Sequence, residues 1–181
     1  MLPIPDIKHN YLMKIGVFYG GSRNGSTAKV AEKIAEAFKP ADAEVLNLAE
    51  ADLESHEQFD VLIMGTSAWG IGGYHTDWDK FIDKLGEAGI ESKKVAFFGL
   101  GDQKNYPESF VDGMGTLFCR FPYKENVLGF TSTEGYKYYF SAAERDGKFV
   151  GLAIDDDFQP ELTDKRIDDW VKQLKKDLRS K

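Results

Sequence analysis

Apolar residues along this chain fall into two alternating patterns. Short, nearly continuous runs occur at Ile15–Tyr19, Ala43–Leu48, Val61–Gly65, Val95–Gly99 and Val150–Ile154. Segments of helical period lie between and after them, over Thr27–Phe38, Trp78–Leu85, Ser109–Cys119 and Thr163–Leu178. The last has the clearest stripe: Ile167, Trp170, Val171, Leu174 and Leu178 share one face, and Lys172, Lys175 and Lys176 lie outside it. Thr163 is placed to cap its start, and the late lysines sit where the helix dipole favours cations. Near-continuous apolar strands separated by helices predict a parallel sheet covered on both faces, an α/β doubly wound fold. One segment breaks the alternation. Between a short apolar piece, Asn126–Phe130, and the run at Val150 come roughly twenty residues that include Tyr136, Tyr138, Tyr139 and Phe140 and the turn-like pairs Glu134-Gly135 and Asp146-Gly147. This is an excursion that interrupts the fifth strand and returns to it, its aromatics packing a small flap.

The first strand-to-helix junction carries the most chemistry. Ile15–Tyr19 ends in Gly20-Gly21-Ser22-Arg23-Asn24-Gly25-Ser26-Thr27, which feeds the helical pattern at Val30, Ala31, Ile34, Ala35 and Phe38. Glycines let a backbone approach an anion, and the unpaired N–H groups and dipole of a helix start favour it. Hydroxyls add donors without a full charge. The segment therefore reads as a phosphate site, with a Gly/Ser turn that binds nothing as the alternative. It is not a nucleoside-triphosphate loop, which needs Gly-Lys-Ser/Thr where Gly25-Ser26 stands. Nor is it a dinucleotide fingerprint, because Gly21 and Gly25 are wrongly spaced and the next run ends in Asn47 rather than an acid.

Composition narrows the function classes. At 181 residues the chain is one domain of ordinary size. Its net charge of −7, from 23 basic and 30 acidic side chains, argues against a nucleic-acid binder and for basic partners. Cys119 is the lone cysteine, which excludes a disulfide framework, and reads as a small buried helix residue. His9, His56 and His75 lie far apart without metal-ligand spacing and read as surface residues. No run approaches the ~20 apolar residues of a membrane span. Residues 1–12, with two prolines and two charges, fit neither a signal peptide nor a helix. They read as a flexible extension ahead of a domain over 13–181, in a chain expected to be cytoplasmic.

In a doubly wound sheet, ligands sit outside the C-terminal strand ends, so the loops after the first, third and fourth runs share one site. The third run is followed by Thr66-Ser67-Ala68-Trp69-Gly70-Ile71-Gly72-Gly73, and the fourth by Leu100-Gly101-Asp102-Gln103-Lys104-Asn105-Tyr106. Each loop places an aromatic beside the phosphate loop, as a flat phosphorylated heterocycle requires. On these residues the chain resembles the flavodoxins, of the long-chain type. The family's phosphate pattern, Thr/Ser-x-Thr-Gly-x-Thr, is matched by Ser22-Arg23-Asn24-Gly25-Ser26-Thr27, with Asn24 for the usual threonine and one extra glycine ahead. The tryptophan loop matches Ala68-Trp69-Gly70-Ile71-Gly72, and the tyrosine loop matches Gly99-Leu100-Gly101-Asp102-Gln103 and then Tyr106. Gly147–Asp155 and the helix from Thr163 also look long-chain, so the resemblance runs from Lys14 to Leu178.

The resemblance implies a five-stranded parallel sheet of order 2-1-3-4-5 and non-covalently bound FMN. It implies a low-potential one-electron carrier, not an enzyme, shuttling between neutral semiquinone and hydroquinone. Ser22 to Thr27 would hold the phosphate, with Arg23 either reaching it or lying in solvent. Trp69 and Tyr106 would cover the two flavin faces, and Ser67, Ala68, Ile71, Gly72, Leu100, Gly101 and Asp102 would belong to the same binding site. The Gly70 peptide would face the flavin N5 and flip on reduction, at low cost because glycine tolerates the dihedrals. Asp157 would bond the ribityl chain. Asp102, Asp77 and Asp79 either oppose the second electron or form a solvated rim. One such charge roughly 10 Å away, at an effective dielectric of about 20, opposes reduction by about 1.7 kcal/mol. The implied partners are redox proteins with basic docking faces, such as ferredoxin/flavodoxin-NADP⁺ reductase, meeting a monomer that binds neither nucleic acid nor membrane. A flavodoxin-like NAD(P)H:quinone oxidoreductase is the alternative, but no nicotinamide site is marked and aromatics on both flavin faces would obstruct hydride transfer. A receiver domain is disfavoured because Gly20-Gly21-Ser22 and Thr66-Ser67 stand where it needs acids.

Overall fold

The computed structural model describes residues 12–70, 72–86 and 89–180, so the extension assigned to residues 1–12 lies outside the described residues except for Leu12. Four strands run in parallel: β1 (Lys14–Tyr19), β2 (Asp42–Asn47), β3 (Val61–Ser67) and β4 (Lys94–Leu100). The fifth position is shared by two segments. β5 (Val127–Leu128) pairs with Val95 and Ala96 in the first half of β4. The chain then leaves to build a small antiparallel sheet from β6 (Thr131–Ser132), β7 (Glu144–Arg145) and β8 (Lys148–Phe149). It returns as β9 (Leu152–Ile154), which pairs in parallel with Phe98–Leu100. The sheet order is thus 2-1-3-4-5 with an interrupted fifth strand, as the apolar runs and the resemblance predicted. The returning backbone passes so close to β4 that a Cβ on Gly151 would lie 2.1 Å from the Phe97 carbonyl oxygen. Glycine is required there for space alone.

The near-continuous apolar strands follow from two separate cores. Ile15, Val17, Val61, Ile63, Phe98 and Ile154 face α1 (Ser26–Ala37) and α4 (Thr163–Arg179), meeting Val30, Ile34, Ile167, Trp170 and Leu174. Phe18, Leu62, Met64, Val95 and Phe97 face the other way, toward α2 (Trp78–Lys84) and α3 (Asp112–Arg120), meeting Trp78, Phe81, Met114 and Leu117. Each of these fully buried side chains contributes about 1.5–3 kcal/mol of transfer free energy. No helix among the described residues is long and apolar enough to cross a membrane.

Helix α4 closes the structure over the interruption. The Trp170 indole N–H donates to the Gly129 carbonyl at 2.8 Å, and the Gln173 amide donates to the Phe130 carbonyl at 3.0 Å, where the chain departs from β5. Lys175 reaches across to donate to the Ala37 carbonyl at 2.8 Å, so its cation satisfies the C-terminus of α1, not of its own helix. Thr163 does not cap α4. It is the first helical residue, its hydroxyl donates to the Asp156 carboxylate, and Leu162 takes the cap position at the end of a 3-10 turn over Pro160–Leu162.

Three readings from the sequence are corrected or divided. Tyr136 and Tyr138 pack against Phe110 and Phe149, as expected for a flap, and the Tyr136 hydroxyl donates to the Ala153 carbonyl at 2.6 Å. Burial pushes the Tyr136 phenol up to about 12. Tyr139 and Phe140 stay 82% and 60% exposed, because their N–H groups are drawn onto the Pro107 carbonyl at the surface. Cys119 is exposed near the end of α3, with its sulfur accepting from the Arg145 guanidinium at 3.1 Å. His56 is buried under Phe81, with Nδ1 on the Leu53 carbonyl at 2.9 Å, whereas His9 lies outside the described residues.

Trp170→Phe should cost about 2–4 kcal/mol, from the orphaned Gly129 carbonyl and the space left around the smaller ring. Urea denaturation would show it as a lower midpoint with an unchanged slope.

Candidate functional site

Three loops leave β1, β3 and β4 at the same edge of the sheet and enclose an open cavity of about 780 Å³. Its phosphate-sized end is the β1–α1 loop. The cap residue of α1, Gly25, is extended and offers no side-chain acceptor, so the first-turn N–H groups are not capped from within. The loop curls because Gly25 N–H donates to the Ser22 carbonyl at 3.0 Å and Asn24 N–H to the Ser22 hydroxyl at 3.3 Å. Two outside groups hold its entry. The Asn47 amide at the end of β2 donates to the Gly21 carbonyl at 3.1 Å, and the Gly21 N–H donates to the Asp77 carboxylate at 2.9 Å. Gly21 has φ +124°, a region closed to side-chain-bearing residues, so this position has to be glycine.

The Trp69 loop forms one wall. Trp69 N–H donates to the Gly73 carbonyl at 3.0 Å, closing a tight turn around Gly70, which has φ +59° and open space where a Cβ would stand. The indole N–H donates to the Ser67 hydroxyl at 2.9 Å, yet the side of the ring facing the cavity keeps the residue 58% exposed. Helix α3 supports the turn from below: the Thr116 hydroxyl donates to the Gly72 carbonyl at 2.7 Å. The His75 ring stands edge-on to the indole, with centroids 5.1 Å apart.

The opposite wall is the β4–α3 loop. Asp102 accepts from the Lys104 and Asn105 N–H groups at 3.0 and 2.9 Å and from the Asn105 amide at 2.6 Å, which folds the turn that presents Tyr106, 65% exposed. Partial burial pushes the Asp102 carboxyl up, but these donors outweigh it and hold the group below its ordinary value. Gln103 anchors the loop. Its backbone N–H and side-chain amide donate to the buried Asp155 carboxylate at 3.0 and 2.8 Å, and its carbonyl oxygen accepts from Lys137 N–H in the excursion at 2.6 Å. Beyond Asp155, Asp156 and Asp157 complete the cavity, and the Asp157 carboxyl is raised by burial and by the charges of Asp102, Asp155 and Asp156.

Most residues singled out from sequence meet here. Ser22, Gly25, Ser26 and Thr27 line one end, Ser67, Ala68, Trp69 and Gly70 one wall, and Leu100, Gly101, Asp102, Tyr106 and Asp157 the other. Arg23 and Asn24 are not among the lining residues. Arg23 instead makes a two-pronged ion pair with Glu50 at the surface. Gly72 contributes its carbonyl to Thr116, and Ile71 lies outside the described residues. Gly21, part of the loop read as a phosphate site, also lines the cavity; sequence reasoning missed His75, Ser109 and Asp156, which do so too. His75 is not the surface residue expected of it. Its position six residues after Trp69, in the same strand-end loop, was the available signal. Asp77 is likewise drawn inward, onto Gly21 and the His75 ring.

The donor-rich loop suits an anionic group, and the two aromatics lining the same cavity suit a flat ring. The comparisons point the same way. The sequence model of the flavodoxin family matches residues 17–170. A flavodoxin of Picosynechococcus sp. is 43% identical over 166 residues, spanning 91% of this chain and 97% of that protein. The flavodoxin of Helicobacter pylori is 39% identical over 162 residues, spanning 90% and 96%. A crystal structure of Fusobacterium nucleatum flavodoxin bound to flavin mononucleotide superposes with a TM-score of 0.82 at 35% identity, covering 91% of this chain and 98% of that one. Fold and sequence agree along nearly the whole length, and the chain belongs to the flavodoxin family.

Proposed function

We propose that this protein binds one FMN non-covalently in the cavity and carries single electrons between redox proteins. The observation that carries the reading is the convergence of an uncapped, glycine-bent helix start with Trp69 and Tyr106 on the two walls of one cavity. The residues present fit the group. A phosphate dianion needs many donors, which Ser22, Gly25, Ser26 and Thr27 supply. An isoalloxazine ring needs aromatic cover on both faces, which the exposed Trp69 and Tyr106 offer. Asp157, which also lines the cavity, would bond the polyol chain. The bound flavin supplies the one-electron chemistry. The chain binds, screens from water and sets the charge around it.

Gly70 is the residue placed to adjust to reduction. At φ +59°, with nothing within 4 Å of the place a Cβ would take, its peptide can present either its N–H or its carbonyl to the cavity without steric cost. Covered flavin faces leave no room for a nicotinamide, which disfavours hydride-transferring quinone reduction. The net charge of −7 and the acids around the rim suit a donor or acceptor with a basic docking face, such as ferredoxin/flavodoxin-NADP⁺ reductase, met by a monomer in the cytoplasm.

The test is anaerobic reductive titration of the FMN-reconstituted protein. Two separated midpoint potentials support a one-electron carrier; a single two-electron step, with turnover of NADPH by the protein alone, would replace it by the quinone-reductase reading. Gly70→Ala should cost the apoprotein about 1 kcal/mol and narrow the gap between the two potentials, because alanine resists the left-handed region. An unchanged gap would remove Gly70 from that role. Arg23→Ala should leave FMN affinity within about threefold, as expected when the guanidinium is committed to an exposed ion pair. Quenching of FMN fluorescence on titration with apoprotein measures it, and a tenfold loss would put Arg23 on the phosphate.

A further inference from the structure

Large apolar side chains left in water are unremarkable singly, but gathered on one face they mark a surface that another molecule covers. Among the described residues those left exposed are Leu12, Trp69, Tyr106, Tyr139, Phe140 and Phe158. Leu12 precedes β1, at the end of the sheet away from the cavity. The others gather around the loops at the strand ends. Trp69 and Tyr106 are walls of the cavity. The Tyr139 and Phe140 N–H groups both donate to the carbonyl of Pro107, the residue after Tyr106, at 2.7 and 3.1 Å. Phe158 lies beside the same loop, with the Lys104 ammonium 5.7 Å from its ring centre. The cavity accounts for Trp69 and Tyr106. It does not account for Tyr139, Phe140 and Phe158, which do not line it.

Tyr139 and Phe140 are held outward by their neighbours. On one side Tyr138 stacks on Phe110 at 5.6 Å, and its hydroxyl donates to the Glu144 carboxylate. On the other, the buried Ser141 donates to the Phe110 carbonyl at 2.5 Å, and the Ala142 N–H donates to the Asp112 carboxylate at 2.7 Å. A segment pinned at both ends presents its rings at little further entropic cost on binding. Aromatics held in this way carry a large share of an interface's affinity. The surrounding charge indicates what covers them. The loop 102–108 and the turn 155–157 carry Asp102, Glu108, Asp155, Asp156 and Asp157 against one base, Lys104. The opposite end of the molecule is basic: Lys172, Lys175, Lys176 and Arg179 cluster late in α4, where Lys175 meets the end of α1. Such a separation turns the aromatic face toward a positively charged partner.

We propose that Tyr139, Phe140 and Phe158 form a docking surface beside the cavity, for a redox protein whose face sets an apolar centre within a basic rim. The proposal rests on the FMN reading, which is what makes an electron-transfer protein the occupant. A partner seated here reaches the Tyr106 side of the cavity through the shared Pro107 carbonyl turn. The acids steer the encounter and the aromatics hold it, so salt weakens the first contribution and leaves the second. A second copy of this chain is the poorer occupant, because pairing the face with itself would oppose its acids.

The test compares wild type with the double variant Tyr139→Ser/Phe140→Ser, and with Leu12→Ser as an exposed apolar position away from the patch. The probe is a catalytic amount of purified ferredoxin/flavodoxin-NADP⁺ reductase with NADPH. Reduction of each FMN-loaded protein is followed by flavin absorbance at roughly 0.3 M salt, where steering is largely screened. The expected result is a KM raised about tenfold or more in the double variant and unchanged in Leu12→Ser. FMN affinity and both midpoint potentials should keep their wild-type values in both variants, because the substituted residues do not line the cavity. A KM within about twofold of wild type, with FMN binding and potentials normal, overturns the proposal alone. So does FMN-loaded wild type that the reductase fails to reduce, or a double variant that loses FMN or shifts its potentials. A wild-type dimer in sedimentation velocity that dissociates in the double variant also overturns it, giving the face to a second copy of the chain. Failure of wild type to bind FMN overturns the reading beneath it.

Discussion

The parallel register of β1, β3 and β4 is the constraint on which the cavity depends. Pairing Tyr19 with Gly65, and Ser67 with Leu100, brings the ends of three strands to one edge, where their loops must diverge into solvent. Because both sheet faces are occupied by packed helices, the strand ends are the remaining place where polar backbone and aromatic side chains can coexist without filling a core. The donors of the β1–α1 loop and the two exposed aromatics are therefore consequences of one topological fact. A slip of one residue between β1 and β3 would turn every inward side chain of those strands outward and dismantle both cores with the site.

Completing that sheet at β4 is what the excursion complicates. The edge of β4 is satisfied by two short segments instead of one strand, and neither β5 nor β9 is long enough to hold its place by ladder bonds alone. Side chains make up the difference. Trp170 and Gln173 hold the departure, the Thr131 hydroxyl donates to the Gly151 carbonyl at 2.6 Å, and Tyr136 ties the flap to Ala153. The buried Asp155, immediately after β9, then binds Gln103 and the Phe158 N–H, so the returning chain becomes the support of the tyrosine loop. A buried carboxylate is tolerable only with such a set of donors. The excursion thus bears on the site indirectly, through Gln103, whose other end reaches Lys137.

Periodicity carried the architecture well, because burial on both sheet faces forces the continuous apolar runs at β1, β3 and β4, and amphipathic stripes mark α1 and α4. Even the broken fifth strand was legible, since Asn126–Phe130 and the run before Ile154 are each too short and too far apart to be one strand. The site was legible wherever a residue type is demanded by its loop: the glycines and hydroxyls before α1, and the aromatics after β3 and β4. What stayed hidden were pairings between residues distant in sequence. Nothing local tells that Arg23 will take Glu50 and turn away from the loop, that Asn47 will hold Gly21, or that Thr163 will prefer Asp156 to a capping role. The misplacement of Cys119, His56 and half of the flap aromatics has the same origin: exposure at the end of a helix or loop is decided by what packs against it.

The link through Asp77 shows how such a pairing can organise function. Gly21, at φ +124°, is a glycine whose freedom costs conformational entropy on folding and would by itself leave the β1–α1 loop loose. The Asp77 carboxylate takes up the Gly21 N–H and so fixes the entry to the loop. The anchor comes from the segment that continues from the Trp69 wall, and that segment also carries His75. One carboxylate therefore holds the phosphate-sized end of the cavity and answers the one imidazole on its wall. Any change in its charge balance is felt by both. Gly21 and His75, each unremarkable alone in the sequence, share one carboxylate only because the sheet brings the two loops together.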